Sequence, residues 1–227
     1  MNANRIRSIF VLLFIAIQAV LYTLILAVPA APLAVCCYLS IVLCFVFALL
    51  LRRPGTGLFI VALACTLCAD FFLVVMDPIQ RLWGMIFFLA TQLLYAVALH
   101  RQRPMRWLSC LRLGLTTLAV VLAILILGRG TDALAVVSVC YYANLIVNII
   151  AAFSQWQRGK LFPVGLVLFL LCDTVIGLQV AAGGYLPIPE TSWLYRLIFS
   201  NFNLAWFFYL PSQVLIVLSL MPCKESE

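Results

Sequence analysis

Residues Leu58 to Met76, LFIVALACTLCADFFLVVM, form an apolar run of membrane length that contains a single carboxylate, Asp70. A carboxylate near the middle of a bilayer costs about 2.5–3.5 kcal/mol on insertion scales, so such a residue is expected to have a function. A second run, Leu161 to Val180, reads LFPVGLVLFLLCDTVIGLQV and superposes on the first when Asp173 is aligned with Asp70. The sequence therefore predicts two intramembrane carboxylates in similar settings.

The composition is that of an integral membrane protein. Of the 227 residues, 67% are hydrophobic and 9% are charged, whereas soluble domains carry about 25% charged residues. The formal net charge is +7, but the basic residues fall in short loops between apolar runs, so we expect no nucleic-acid partner. Nine cysteines, most of them within the apolar runs, do not indicate a disulfide framework. We expect a multi-pass protein of a bacterial plasma membrane.

Eight apolar runs are long enough to cross a bilayer, because a transmembrane helix needs about 20 mostly apolar residues. The first run follows Arg5 and Arg7 as a signal peptide would, but its length favours a retained span. The sequence therefore predicts an all-α polytopic membrane protein with eight transmembrane helices in one domain, residues 1–227. The predicted spans lie near residues 8–28, 32–51, 58–76, 82–99, 108–127, 133–154, 161–182 and 198–221.

The distribution of Lys and Arg predicts the orientation, because short cytoplasmic loops retain positive charge. With eight spans and a cytoplasmic N-terminus, the cytoplasmic side carries eleven of these residues, namely Arg5, Arg7, Arg52, Arg53, Arg101, Arg103, Arg106, Arg112, Arg158, Lys160 and Lys224. The other side carries three, namely Arg81, Arg129 and Arg196. This asymmetry predicts that both termini are cytoplasmic.

A parallel duplication of four plus four spans, with halves 1–104 and 105–227, accounts for the matches between distant segments. Span four matches span eight as well, since Phe87, Thr91, Gln92 and Leu94 align with Phe207 or Phe208, Ser212, Gln213 and Leu215. Each half then carries one Asp span and one Gln span. Both Asp residues lie roughly 20 Å beyond the cytoplasmic boundary at 1.5 Å per residue, so they can share one depth.

Several uncharged polar side chains within the spans are candidates for substrate binding. Asn144 and Asn148 are four residues apart and face the same side of a helix. Pro211 interrupts span eight beside Gln213 and frees backbone carbonyl groups, which need protein or a wet cavity. Hydrogen bonds that only stabilise helix packing explain each residue singly as well. The candidates are Gln92, Tyr95, Asn144, Asn148, Tyr209 and Gln213.

The sequence carries no pattern typical of a metal or cofactor site. Its single histidine, His100, lies among arginines at a helix end, so one chain cannot supply the two or three His ligands of a zinc site. It has neither a Gly-rich phosphate loop nor a GxSxG nucleophile motif. We therefore expect no metal and no cofactor.

Four segments resemble the YhhN-like family, which includes the lysoplasmalogenases. They are LCADFFLVV, TQLLY, LFLLCDTVIGLQ and FFYLPSQVLIVLS, and the resemblance spans most of the chain. The usual family pattern has Gly-Asp in the third span, His before Leu-x-Tyr in the fourth, Ser-Asp in the seventh and Tyr-x-x-x-Gln near the end. The matching residues are Asp70, Tyr95, Asp173, Tyr209 and Gln213. Ala69, Gln92 and Cys172 stand where the family has Gly, His and Ser.

The resemblance implies hydrolysis of the vinyl ether bond of a lysoplasmalogen to a fatty aldehyde and a glycerophospho-headgroup. This reaction needs a proton delivered to carbon, an oxocarbenium-like cation stabilised and a water added, which are demands that glycosidases meet with two carboxyl groups. We hypothesise that Asp70 and Asp173 divide the roles of general acid and ionised partner. The alternative for both is a structural hydrogen bond to a neighbouring helix.

Two other functions fit the same residues. A non-enzymatic protein that binds or moves a lipid or small solute could use the acidic pair as a proton-coupled gate. A structural or regulatory membrane subunit would not need the pair at all. The expected partners are a lipid substrate and the bilayer, and the oligomeric state, including a homo-oligomer, stays open.

Overall fold

The structure, a computed structural model, describes residues 3–27, 33–182, 188–200 and 202–221. The connection between predicted spans one and two, the first part of the long loop predicted at 183–197 and the predicted cytoplasmic tail with Lys224 lie outside these residues. Within them all regular secondary structure is helical. The α-helices are α1 (Ala3–Ala27), α2 (Leu33–Leu50), α3 (Gly57–Asp70), α4 (Arg81–Gln102), α5 (Arg106–Leu127), α6 (Ala133–Phe153), α7 (Leu161–Ala182), α8 (Trp193–Ile198) and α9 (Leu204–Leu218).

The helices confirm an all-α membrane protein, but seven spans rather than eight have full membrane length in the described part of the chain. These seven are Arg7–Ala27, Leu33–Leu50, Gly57–Val75, Arg81–Gln102, Arg106–Leu127, Ala133–Phe153 and Leu161–Ala182. The eighth predicted span, 198–221, contains the 15-residue helix α9. A separate helix, α8, precedes it, because the side chains of Ser192 and Asn203 each cap the start of a new helix.

The order of neighbouring helices is similar in the two halves of the chain. The Asp helices α3 and α7 each pack most extensively on the next long helix, α4 and α9, and each also contacts the helix before it, α2 and α6. Contacts of α4 with α6 and of α9 with α2 join the halves. A duplication would produce this order, and the duplication itself stays a prediction, as does the orientation of the termini.

Helices α7 and α9 approach closely at Gly165. A Cβ atom at this position would lie 2.8 Å from Cγ1 of Ile216 and 3.0 Å from the backbone oxygen of Ser212. Any larger side chain would therefore separate the two helices. Because glycine has no side chain, α9, which carries Tyr209 and Gln213, can pack closely against the Asp173 helix at Gly165.

Helix α5 lies at the edge of the bundle. Of its side chains only Leu108 and Ala123 are buried, whereas Leu125 and Ile126 are 73% and 77% exposed. An apolar outer face of this kind suits contact with lipid chains. The inner face of α5 packs on α6.

Candidate functional site

Asp70 is a buried carboxylate at the last residue of α3. It is 3% exposed, and Oη of Tyr209 donates a hydrogen bond to its Oδ2 atom across 2.5 Å. Directly after Asp70 the helix widens into a π-helical turn, Phe71–Val75, in which the Met76 N–H bonds to the Phe71 carbonyl. Turns of this type occur frequently at functional sites. The structure thus brings together two residues that the sequence singled out, Asp70 and Tyr209.

Asp173 is a half-buried carboxylate within α7, which continues without interruption to Ala182. The hydroxyl group of Tyr141 on α6 donates to its Oδ2 atom. Each intramembrane Asp therefore pairs with one tyrosine from another helix. Tyr141 was not among the predicted site residues, although it lies three residues before Asn144 and seven before Asn148, on the same face of α6.

Two phenylalanine rings lie between the two Asp–Tyr pairs. The ring centre of Phe88 is 5.8 Å from that of Tyr141 and 6.5 Å from that of Tyr209. The ring centre of Phe169 is 6.4 Å and 5.5 Å from the same two rings. Through these two rings the two Asp–Tyr pairs belong to one cluster of side chains. We call Asp70, Asp173, Tyr141 and Tyr209, with Phe88 and Phe169, the carboxyl site.

The carboxyl site has the groups that acid–base chemistry on an apolar substrate needs. A carboxyl group can donate a proton when neutral and accept one when ionised, and a phenol can orient it. The tyrosines each bond to Oδ2 and, among the described residues, leave Oδ1 without a partner. The aromatic faces could stabilise a cationic intermediate.

Three of the predicted binding residues form a second polar group, together with an arginine. The guanidinium of Arg112 on α5 donates to Oδ1 of Asn144 across 2.6 Å and to Oδ1 of Asn148 across 2.8 Å. The amide of Asn148 in turn donates to the side-chain oxygen of Gln92 at 2.9 Å and to its backbone oxygen at 2.8 Å. We call these four residues the arginine site.

Tyr95 and Gln213, also predicted as binding residues, are fully buried but contact neither carboxylate through a hydrogen bond in the described residues. Among the described residues the hydroxyl group of Tyr95 has no partner, and its ring packs between Phe59 and Phe162. Gln213 lies one turn beyond Tyr209 on α9, and its Oε1 atom has no partner in the described part of the chain. Their buried unpaired atoms are unusual, since such groups normally find a hydrogen bond.

A model of the YhhN family matches residues 33–220. The chain belongs to the YhhN family. No curated protein and no solved structure matches it. The matched part of this YhhN family member runs from the start of α2 past the end of α9, so it includes the whole carboxyl site and the whole arginine site.

The main residue of this YhhN family member that sequence analysis missed as a site residue is Arg112. It is one of the eleven residues that the Lys and Arg distribution places on the cytoplasmic side, and it lies inside α5 and inside the span predicted at 108–127. A charged residue within a predicted span is the signal that could have identified it. The same criterion had already selected the two carboxylates.

Proposed function

We propose that this YhhN family member hydrolyses the vinyl ether bond of lysoplasmalogen to a fatty aldehyde and a glycerophospho-headgroup. The observation that carries the proposal is the carboxyl site, in which two carboxyl–phenol pairs flank a pair of aromatic rings within an apolar bundle. Membership of the YhhN family supports the same reaction. The substrate is a lipid, so it can reach the site from the bilayer.

In the first step the neutral carboxyl group of the pair transfers its proton to the outer carbon of the vinyl ether. The double bond supplies the electrons, and an oxocarbenium-like cation forms between the inner carbon and the ether oxygen. The ionised carboxylate and the faces of Phe88 and Phe169 stabilise this cation. Asp70 and Asp173 divide the two roles.

In the second step water adds to the inner carbon and gives up a proton to a carboxylate, which yields a hemiacetal. The carbon–oxygen bond to the glycerol then breaks as the hemiacetal hydroxyl group loses its proton, the aldehyde forms, and the carboxyl pair passes a proton to the glycerol oxygen. One water is consumed, and the carboxyl pair regains its starting protonation. Tyr141 and Tyr209 hold the carboxyl groups in place through Oδ2, which leaves Oδ1 for the reacting proton.

The test is product release by the purified protein in detergent. Lysoplasmalogen and its saturated alkyl-ether analogue are supplied side by side, and aldehyde is expected from the vinyl ether alone. Asp70→Asn and Asp173→Asn should each lose turnover while remaining folded, and Asp77→Asn, at an exposed carboxylate outside the carboxyl site, should keep it. Full activity in either site variant would remove that Asp from the mechanism.

The second candidate function is proton-coupled binding or transport of a lipid or small solute. Two carboxyl groups within the spans, linked through one cluster of aromatic rings, favour it, since such groups often mark proton pathways in transporters. Uptake into proteoliposomes that depends on a proton gradient, with no aldehyde formed under any condition, would support this function instead. Product formation in detergent, where no gradient exists, would support the hydrolase.

Location and orientation belong to the same proposal. A lipid hydrolase of this type would lie in a bacterial plasma membrane with both termini cytoplasmic, as the Lys and Arg distribution predicts. Reporter fusions to each terminus would test the orientation. The homo-oligomeric state can be measured on the same detergent preparation by light scattering.

A further inference from the structure

Arg112 is a cation within a membrane helix whose charge has no counter-ion in the described part of the chain. Its two acceptors, Asn144 and Asn148, are neutral amides, and no described carboxylate pairs with it. Guanidinium carries five N–H donors, so donors remain after these two bonds. Arg112 is half-buried, and a charge removed from water is normally paired, because an unpaired charge in a low-dielectric environment is costly. The arginine site therefore fits an anion.

The side-chain amide of Gln92 is a second, independent indication that the arginine site binds a group with hydrogen-bond acceptors. The side chain is 0% exposed, and its Nε2 donor has no hydrogen-bond partner among the described residues. Its Oε1 atom accepts from Asn148, which fixes the amide at the arginine site. A buried N–H without an acceptor costs about 1–3 kcal/mol. An anion at Arg112 with oxygen acceptors could satisfy this donor directly or through water.

An apolar groove of about 290 Å³ lies between α5 and α6, and its lining on α5 begins about one helix turn after Arg112. Two of its lining residues, Leu115 and Ala119, are three and seven positions after Arg112, so all three share one face of α5. On α6 the lining includes Val139 and Tyr142. An apolar groove whose lining begins one helix turn from a cation is complementary to a molecule with a hydrocarbon chain and an anionic head.

The two polar sites lie along one face of α6 in a fixed order. Tyr141, which bonds to Asp173, is separated from Asn144 and Asn148 by about 4.5 Å and 10.5 Å of helix rise. In a single-chain ether lysophospholipid five bonds separate the ether oxygen from the phosphorus, which is about 6 Å in an extended chain. A phosphate at Arg112 would thus place the ether near the carboxyl site.

We propose that the arginine site binds the phosphate of a single-chain ether lysophospholipid whose hydrocarbon chain occupies the groove between α5 and α6. This proposal rests on the proposed function for the identity of the lipid. It adds a phosphate-recognition site and gives Arg112, Asn144, Asn148 and Gln92 a common role. The protein then recognises the phosphodiester of its substrate and not the headgroup attached to that phosphate.

The test is equilibrium binding of a lipid that cannot be hydrolysed. The purified protein is titrated with a saturated 1-O-alkyl lysophospholipid, with the 1-O-alkylglycerol of the same chain, and with inorganic phosphate. Arg112→Gln should weaken binding of the lysophospholipid by about tenfold or more, because charge-assisted bonds to phosphate are lost. Binding of the alkylglycerol should not change. Arg106→Gln, at an exposed arginine on the first turn of the same helix, is the matched control and should bind like the wild type.

A second variant keeps the test decisive if Arg112→Gln does not fold. Asn144→Asp would place a carboxylate where the amide oxygen lies 2.6 Å from the guanidinium, so it should retain the fold and lose lysophospholipid affinity. A purely structural role of Arg112 would leave that affinity unchanged in this variant. Wild-type affinity in Asn144→Asp and in any folded Arg112→Gln would overturn the proposal.

The third ligand separates a lipid site from a free-phosphate site. Inorganic phosphate that binds as tightly as the lysophospholipid would overturn the assignment to a lipid. Because this lipid cannot be hydrolysed, the binding result is independent of turnover. If only the hydrolase proposal is wrong, the lysophospholipid still binds in a manner that depends on Arg112, but lysoplasmalogen yields no aldehyde.

Discussion

The hydroxyl group of Tyr209 lies 2.5 Å from Oδ2 of Asp70, and this hydrogen bond joins residues 139 positions apart in the chain. It connects α9, the last described helix, to the end of α3. The ring of the same tyrosine packs against the rings of Phe88 and Phe169. The position of the Asp70 carboxyl group therefore depends on how α9 packs in the bundle.

Tyr209→Phe should lower kcat on the order of 100-fold with little change in KM, because a small misorientation of a reacting group has an effect of this size. The variant keeps the aromatic ring and removes only the donor to Asp70. The measurement is steady-state aldehyde release in detergent.

Tyr22→Phe is the matched control for this variant. It removes a hydroxyl that donates to the Phe207 carbonyl across 3.0 Å, so it too breaks one bond between α9 and another helix. We expect wild-type kcat. An equal fall in both variants would mean that the Tyr209 effect arises from helix packing and not from the carboxyl group.

Tyr141→Phe combined with Tyr209→Phe should lower kcat by less than the product of the two single losses. The two pairs act on one reacting group, and residues that act as a unit give strongly non-additive effects. A double-mutant cycle on kcat measures the coupling. Losses that simply multiply would indicate that the two Asp–Tyr pairs work independently.

Gly165→Ala should lower the free energy of unfolding by about 1–3 kcal/mol, the usual cost of overpacking. The new Cβ atom would lie 3.0 Å from the Ser212 carbonyl oxygen, a backbone atom that can move only with α9. Gly177→Ala on the same helix is the control, since its Cβ atom would meet nothing within 4 Å. Thermal unfolding in detergent compares the two, and equal midpoints would contradict the close contact.

Gln18→Leu should cost no more than about 1 kcal/mol, because hydrogen bonds between membrane helices average about 0.6 kcal/mol. Gln18 on α1 donates to the Ser40 carbonyl at 2.9 Å and touches neither polar site through a hydrogen bond. We expect unchanged aldehyde release. A large loss of activity would mean that α1 takes part in the site.

Helix bounds were predictable where an apolar run ends at glycine, proline or charged residues. The span predicted at 161–182 is the observed α7, and the span predicted at 133–154 exceeds α6 by one residue. Helix α8 was not predicted, since most of it lies in the stretch predicted as the loop before span eight, and α9 begins six residues after the predicted start of that span at 198. The polar caps Ser192 and Asn203 mark the starts of the two helices.

The carboxylates were predictable because an ionisable group in hydrocarbon is costly wherever it occurs. Their tyrosine partners depend on which helices meet, and one sequence contains no information on such pairing. Tyr209 was selected through a resemblance, and Tyr141 was not selected at all. Arg112 was counted only toward the orientation of the spans, although it lies within the span predicted at 108–127.

The π-helical turn after Asp70 makes the two halves of the chain differ at their carboxylates. Helix α3 widens at this point, whereas α7 continues as a regular α-helix past Asp173. If the halves arose by gene duplication, this turn makes the descendants of one ancestral carboxylate inequivalent, with one at a helix end and one in mid-helix. Two carboxyl groups in identical settings would have the same chemical properties. Different settings allow Asp70 and Asp173 to take different roles.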